Sequence, residues 1–235
     1  MADKPIPFTG PMVRAILEGR KTLTRRLLEP QPFEDGYFEG NVECTFVPSP
    51  ASNQDAYVRC SVAAVGGGAF RTETCGLRYA VGDRLWVREA WRSEARFDPL
   101  PPRDVPRGAL VSFEADYSSE PNDGCRGRYR HGRFMPRWAS RITLTVTSVR
   151  VERLQDISEE DAKAEGMVQN YNPDDESHGA WTGGVDFLYG WNATGAFRRT
   201  WELINGPAAW EANQWVAAYS FVADHRNIDA QEAQP

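Results

Sequence analysis

Hydrophobic positions along this chain change period several times, and each change marks an element. Pro5 to Phe8 reads as a short opening strand. Beyond it, Met12, Ala15, Ile16 and Gly19 recur at helical spacing. Pro11 suits a first helical position and Gly19 a left-handed residue after the last turn, so the pattern predicts a helix from Pro11 to Glu18 with Arg14 and Glu18 able to pair on its wet side. Gly82-Asp83 marks a turn, and Arg84 to Trp91 alternates as a strand, Leu85 and Val87 on one face and Trp86 and Arg88 on the other. Glu89 shares the Leu85 face, either as the buried partner of an arginine or at the opening of a barrel. Leu110 to Tyr117 alternates in the same way, with Val111, Phe113, Ala115 and Tyr117 inward. Arg141 to Leu154 is the longest predicted strand, with a register shift at Ser148-Val149 that implies a bulge or bend. Ser158 opens a short helix, with Asp161 at the capping-box position and Gly166 closing it. A last helix runs from Thr194, as its cap, to Asn205, with Phe197, Trp201 and Ile204 on one face. Gln214 to Val222 is a final strand, and 223–235 reads as a disordered tail.

Three stretches interrupt these patterns. Residues 29–74 carry Pro30, Pro32, Pro48, Pro50 and the run Gly66 to Gly68, which suits a decorated surface loop with a hairpin better than a substrate lid. Residues 92–135, which include the Leu110 strand, and 168–192 are further insertions.

Composition changes the picture in two ways. A hydrophobic content of 41% with eight Trp and eleven Phe describes a globular chain, long enough at 235 residues to bury a substantial core. The formal net charge of -6 argues against a general nucleic-acid coat, which needs a basic face, but leaves room for a local basic cleft. Cys44, Cys60, Cys75 and Cys125 form no C-x-x-C pair and lack a histidine at zinc-finger spacing, so buried thiols are expected rather than a metal site, and no cofactor is expected. The first residues lack an apolar signal core and no run approaches the length of a membrane span, which predicts a soluble, cytoplasmic protein with no membrane partner.

The densest candidate chemistry follows the first helix: Arg20, Lys21, Thr22, Thr24, Arg25 and Arg26. In an extended strand Lys21 and Thr24 point to opposite faces, so a joint role requires a turn or a further helical step after Gly19. A lysine desolvated among cations has a lowered pKa and can take the proton of a threonine hydroxyl, which is otherwise a poor nucleophile. The plainer reading is that these basic groups satisfy the last carbonyls of the helix or face water. The second basic region, Arg126 to Arg141, interleaves arginines with Tyr129, Phe134 and Trp138. It reads either as a surface for phosphates and unpaired bases or as a solvated loop anchored by its aromatics. Glu165 stands in the last turn of its helix, against the dipole, which suits a carboxylate with a cation partner such as Lys21, or one simply exposed.

These residues carry a family likeness. The run Ala15 to Arg25 (A-I-L-E-G-R-K-T-L-T-R), followed by Gly82 to Glu89 (G-D-R-L-W-V-R-E), resembles the ASCH domain, a small β-barrel related to the PUA domains that bind RNA. Met135 to Arg141 (M-P-R-W-A-S-R) is similar to the long phage and prophage members, and Leu154 to Met167 supplies a third matching segment. The resemblance implies an α+β fold, a PUA-like β-barrel with short peripheral helices and long loop insertions, in a single domain over 1–222. Small bacterial ASCH enzymes that remove the acetyl group from N4-acetylcytidine are proposed to use a lysine, a threonine and a glutamate. By motif these fall on Lys21, Thr24 and Glu165.

The implied activity is hydrolysis of an N4-acylated cytosine, with a nucleoside or single-stranded RNA or modified nucleic acid as partner. Substrate contacts are expected from Arg20, Arg25, Arg26, Trp86, Arg88, Glu89, Arg137 and Trp138. Arg25, Arg26 or backbone N–H groups near Gly19 are the candidates for stabilising an oxyanion. Two other readings use the same residues: a module that binds RNA or a modified base without changing it, and a ribonuclease in which His131 would exchange a proton.

Overall fold

The computed structural model describes residues 3–32, 42–47, 57–63, 70–116, 126–169, 181–183 and 189–231, with side chains for all of these except 42–47, 57–63, 70–73, 189 and 231. The chain is mixed α+β. Its strands are β1 (Asp3–Pro7), β2 (Leu23–Leu27), β3 (Val42–Val47), β4 (Tyr57–Ala63), β5 (Phe70–Gly76), β6 (Arg84–Arg88), β7 (Trp91–Ser93), β8 (Val111–Phe113), β9 (Thr143–Arg153), β10 (Val168–Gln169), β11 (Trp181–Thr182), β12 (Tyr189–Gly190) and β13 (Trp215–Asp224). The helices are α1 (Gly10–Leu17), α2 (Glu159–Ala164) and α3 (Ala193–Asn205). The largest sheet has five strands in the order β1-β6-β9-β13-β2. It is open, with β1 and β2 at its edges, and is not closed into the expected barrel.

Contacts divide the chain into two compact units, each discontinuous in sequence. The first contains residues 1–22, 83–145 and 222–235. In it β1 lies parallel to β6, with Ile6 opposite Val87 and Pro7 opposite Arg88. β6 is antiparallel to the start of β9, Trp86 facing Thr143. The prolines of β1 suit an exposed edge, since they offer no N–H to a further strand. β7 and β8 form a hairpin-like pair over a core of Trp91, Val105, Met135 and Ala139. The strand predicted to reach Trp91 breaks after Arg88, and the one predicted to reach Tyr117 turns at Glu114 into a 3-10 turn. Tyr117 lies outside the described residues. Beyond Val222, where a tail was expected, β13 continues to Asp224. Asn227 Nδ2 then donates to the carbonyls of Arg137, Trp138 and Ser140, and Ile228 is fully buried.

The second unit contains residues 23–82 and 146–221. β2 and β13 are antiparallel, with Thr24 opposite Tyr219 and Arg26 opposite Ala217. α2 and α3 enclose a core of Leu154, Ile157, Ala162, Phe197, Trp201, Trp210 and Val216 beside the small β10-β11-β12 sheet. The expected hairpin within 29–74 is a three-stranded antiparallel sheet, β3-β4-β5, that begins and ends within or just beyond those bounds. Cys75 on β5 is buried, Cys44 and Cys60 are register partners with undescribed side chains, and Cys125 lies outside the described residues.

Capping follows the sequence closely at α2. Ser158 accepts the Asp161 N–H at 3.1 Å, and Gly166 takes φ +101, beyond the reach of most side-chain-bearing residues. α3 begins two residues earlier than expected. Asn192 caps it through the Gly195 N–H at 2.8 Å, while the Glu159 carboxylate accepts the Ala193 and Thr194 N–H groups at 2.9 and 3.1 Å. Ile204, expected on the packed face, is 48% exposed, whereas Phe197 and Trp201 are buried. Among the described residues no helix is long and apolar enough to cross a membrane.

Candidate active site

The basic run after α1 does not continue as a helix. Gly19 adopts φ +74, Arg20 and Lys21 both return their N–H groups to the Ala15 carbonyl at 2.9 Å, and the chain then leaves as β2. The helix stop and turn are the ones the glycine predicts, but the strand after it was not anticipated. α1 buries Val13, Ala15 and Ile16, with Met12 half-buried. Glu18 pairs with Arg20 at 2.7 Å, and Arg14 donates to the Ala115 carbonyl at 3.1 Å.

Of the trio implied by the resemblance, Lys21 lies in the first unit and Thr24 and Glu165 lie in the second. All three are buried, at 1%, 3% and 4% exposure. Lysine is rarely so buried. The Lys21 Nζ lies 5.7 Å from the centre of the Phe8 ring, close enough for a cation–π attraction.

Alternation along β2 sorts its side chains. Leu23, Arg25 and Leu27 share the face packed by α2 and α3, and Thr24 and Arg26 share the other. On the helix-covered face the Arg25 side chain has no solvent exposure and is surrounded by carboxylates. Its Nε and Nη2 donate to Glu152 at 2.9 and 2.6 Å, Nη2 also donates to Asp161 at 2.6 Å, and Nη1 reaches Glu165 at 3.4 Å. Its guanidinium also lies 5.8 Å from the Phe197 ring centre. Burial alone would lower the Arg25 pKa, but Glu165, Glu152 and Asp161 carry it above the ordinary arginine value. Arg150 joins the same cluster through Asp161 at 2.6 Å. Arg25 therefore supplies a cation for Glu165, and its donors are committed to the protein's own carboxylates.

On the opposite face the electrostatics reverse. Desolvation lowers the Arg26 pKa, and the opposing pull of Tyr79, Glu165 and Tyr219 does not restore it. Tyr79 and Tyr219 are both buried and meet edge to face, with ring centres 5.2 Å apart and planes at 73°. Burial pushes the Tyr219 phenol up to about 12, even though the backbone N–H groups of Tyr79 and Arg78 bond to its oxygen. Neither tyrosine was singled out in the sequence. The signal available was the final strand itself, but which of its residues faces Thr24 depends on the β2–β13 register.

The remaining predicted contacts all lie in the first unit. Trp86 is buried, and the Arg88 guanidinium lies 4.7 Å from its ring centre. Arg88 Nε is buried with no hydrogen-bond partner among the described residues, and desolvation lowers the pKa of the group. Glu89, 1% exposed, takes the arginine-partner alternative: Arg141 donates to its two oxygens at 2.9 and 3.0 Å. Burial still holds the Glu89 pKa above the usual carboxylate range against that pairing. Arg141 also binds Asp116 through two bonds of 2.8 Å and stacks 3.9 Å from the Phe113 ring centre.

Most of the second basic region is engaged internally. Arg137 donates to Asp3 at 2.6 Å and Asp229 at 2.8 Å, and Trp138 packs on the Trp91 core. Arg130 is buried and bonds the carbonyls of Leu100 and Phe97 at 3.0 and 2.8 Å. His131 Nδ1 accepts the Arg133 N–H at 3.0 Å, capping a 3-10 turn. Tyr129 and Phe134 remain 52% and 57% exposed, with Arg133 lying 5.8 Å from the Phe134 ring centre. Comparison of the chain with protein-family models, curated proteins and solved structures finds no match.

Proposed function

We propose that this protein is an ASCH-type, PUA-like amidohydrolase acting on an N4-acylated cytosine, as a nucleoside or within a strand. Thr24 is the nucleophile, Lys21 the general base and then acid, and Glu165 the carboxylate that tunes the exchange. The Thr24 oxygen bonds to the acyl carbon and releases its proton to the Lys21 amine. The C–N4 bond then breaks, the cytosine amino group takes that proton, and water hydrolyses the threonine ester. Arg26 is favoured over Arg25 for stabilising the oxyanion, because Arg26 shares the Thr24 face of β2 while Arg25 is bonded to three carboxylates on the other.

The observation that carries this reading is the burial of all three side chains: a lysine at 1% exposure is rare, and Thr24 and Glu165 are buried as well. Chromatography of N4-acetylcytidine incubated with the protein tests it. The expected result is conversion to cytidine that is lost in Lys21→Ala and Thr24→Val; turnover that survives Thr24→Val removes the nucleophile.

A second reading, a module that binds RNA without altering it, is favoured by the exposed Phe134 ring beside Arg133 and the exposed Tyr129 ring beside Arg92. It predicts single-stranded RNA binding that weakens steeply with salt and falls in a Tyr129→Ala/Phe134→Ala variant.

A further inference from the structure

The second unit places one hydroxyl that the reaction above does not use next to the residue it depends on. Tyr219 is the direct antiparallel partner of Thr24, so their Cβ atoms lie about 5 Å apart on the same face of the sheet. Its ring is fixed against Tyr79, edge to face at 5.2 Å, and it is 1% exposed. Its oxygen accepts hydrogen bonds from the backbone N–H groups of Tyr79 and Arg78. A phenol oxygen that accepts from backbone N–H groups can still donate its own O–H. The same face carries the Arg26 guanidinium.

We infer that Tyr219 is a catalytic residue that donates its hydroxyl hydrogen to the oxyanion formed when Thr24 attacks the acyl carbon, with Arg26 as the neighbouring positive charge. The inference rests on the proposed acyl transfer at Thr24. In the step, the Thr24 oxygen–carbon bond forms and the carbonyl π electrons move on to oxygen. Tyr219 and Arg26 bond that oxygen, and the electrons return as the C–N4 bond breaks. Tyr219 keeps its proton throughout, and a phenol pushed up to about 12 stays a donor over the whole range in which a lysine base operates. The two backbone N–H groups serve as its supports. They fix the oxygen in place and polarise the O–H, as the members of a hydrogen-bonded chain do to one another. The Tyr79 ring restricts the rotation of its partner. An oxyanion donor needs to be rigid before the charge develops, because a donor that must reorganise stabilises the transition state less.

The test compares wild type and Tyr219→Phe on N4-acetylcytidine, with thermal unfolding of each. Tyr219→Phe keeps the ring and its packing and removes only the hydroxyl. Its kcat is expected to fall about 100-fold with KM within about threefold, as for loss of one oxyanion donor. Wild-type turnover with Tyr219→Phe also within about threefold overturns the Tyr219 role and leaves the amidohydrolase reading standing. A fall in kcat accompanied by an equal rise in KM, with a matching drop in unfolding temperature, assigns Tyr219 to packing and overturns its role as well. A wild type inert toward N4-acetylcytidine overturns the amidohydrolase reading and the Tyr219 role together.

Discussion

Arg25 and Arg26 are adjacent in sequence, project from opposite faces of one strand, and have pKa values displaced in opposite directions. On the helix-covered face three carboxylates more than compensate the burial of Arg25. On the other face, two phenols and a share of the Glu165 field leave the cost of burying Arg26 incompletely offset. The first charge is satisfied by the fold and holds α2 against the strand. The second has its pKa held below the ordinary arginine value, with desolvation as the largest cause. Two neighbouring arginines in a sequence are thus not interchangeable candidates, and the strand's alternation separates them.

This contrast makes predictions of decreasing size. Arg25→Ala leaves Glu152, Asp161 and Glu165 clustered without their shared cation and is expected to cost about 3–5 kcal/mol in denaturant unfolding. Thr24→Val, on the opposite face, should cost under about 1 kcal/mol while abolishing turnover. An equal loss of stability in both variants would erase the distinction between the faces.

The first unit offers a parallel case: Arg141 is bound by carboxylates, whereas Arg88 Nε is buried with no hydrogen-bond partner among the described residues. Arg141→Met should cost about 3 kcal/mol at neutral pH by stranding Glu89. The Glu89 pKa is raised by folding, so its contribution to stability is fully present below its ordinary value of 4.5 and is lost as pH rises through the folded value. The penalty of Arg141→Met should therefore shrink toward pH 4, read from unfolding free energies between pH 4 and 8.

Ser158→Ala removes the α2 cap and is expected to cost about 1 kcal/mol without changing the pH profile. Glu159→Gln should cost about 0.5 kcal/mol. The Glu159 pKa is depressed, because the N–H groups of Ala193 and Thr194 and the hydroxyl of Thr194 outweigh its desolvation. Its contribution is present above its ordinary value of 4.5 and disappears as pH falls through the depressed value, so wild type and Glu159→Gln should converge in acid.

Local features were the legible part of this chain. The α1 stop at Gly19, the α2 cap at Ser158 and the long β9 strand follow from residues within a few positions of one another. The α3 cap was missed because Thr194 and Asn192 are both good capping residues, and only the backbone decides between them. β2 was missed because its basic residues hide the spacing of Leu23 and Leu27. The site was less legible than the fold, for reasons of distance. Glu152, Asp161 and Glu165 reach Arg25 from 127 to 140 residues away, and Tyr219 reaches Thr24 only through a strand register. The tail was read as disordered because a polar, alanine-rich ending has no periodicity. Asn227 instead anchors its described part through three carbonyls that no sequence pattern displays, while 232–235 lie outside the described residues.

That closing segment also governs the order of events during synthesis. The first unit contains residues 222–235 alongside 1–22 and 83–145, so the ribosome makes part of it after every element of the second unit. Until Asn227 and Ile228 emerge, the Arg137 to Ser140 carbonyls and the site that buries Ile228 stay open to solvent and to chaperones. The first unit thus stays incomplete until every element of the second has been made.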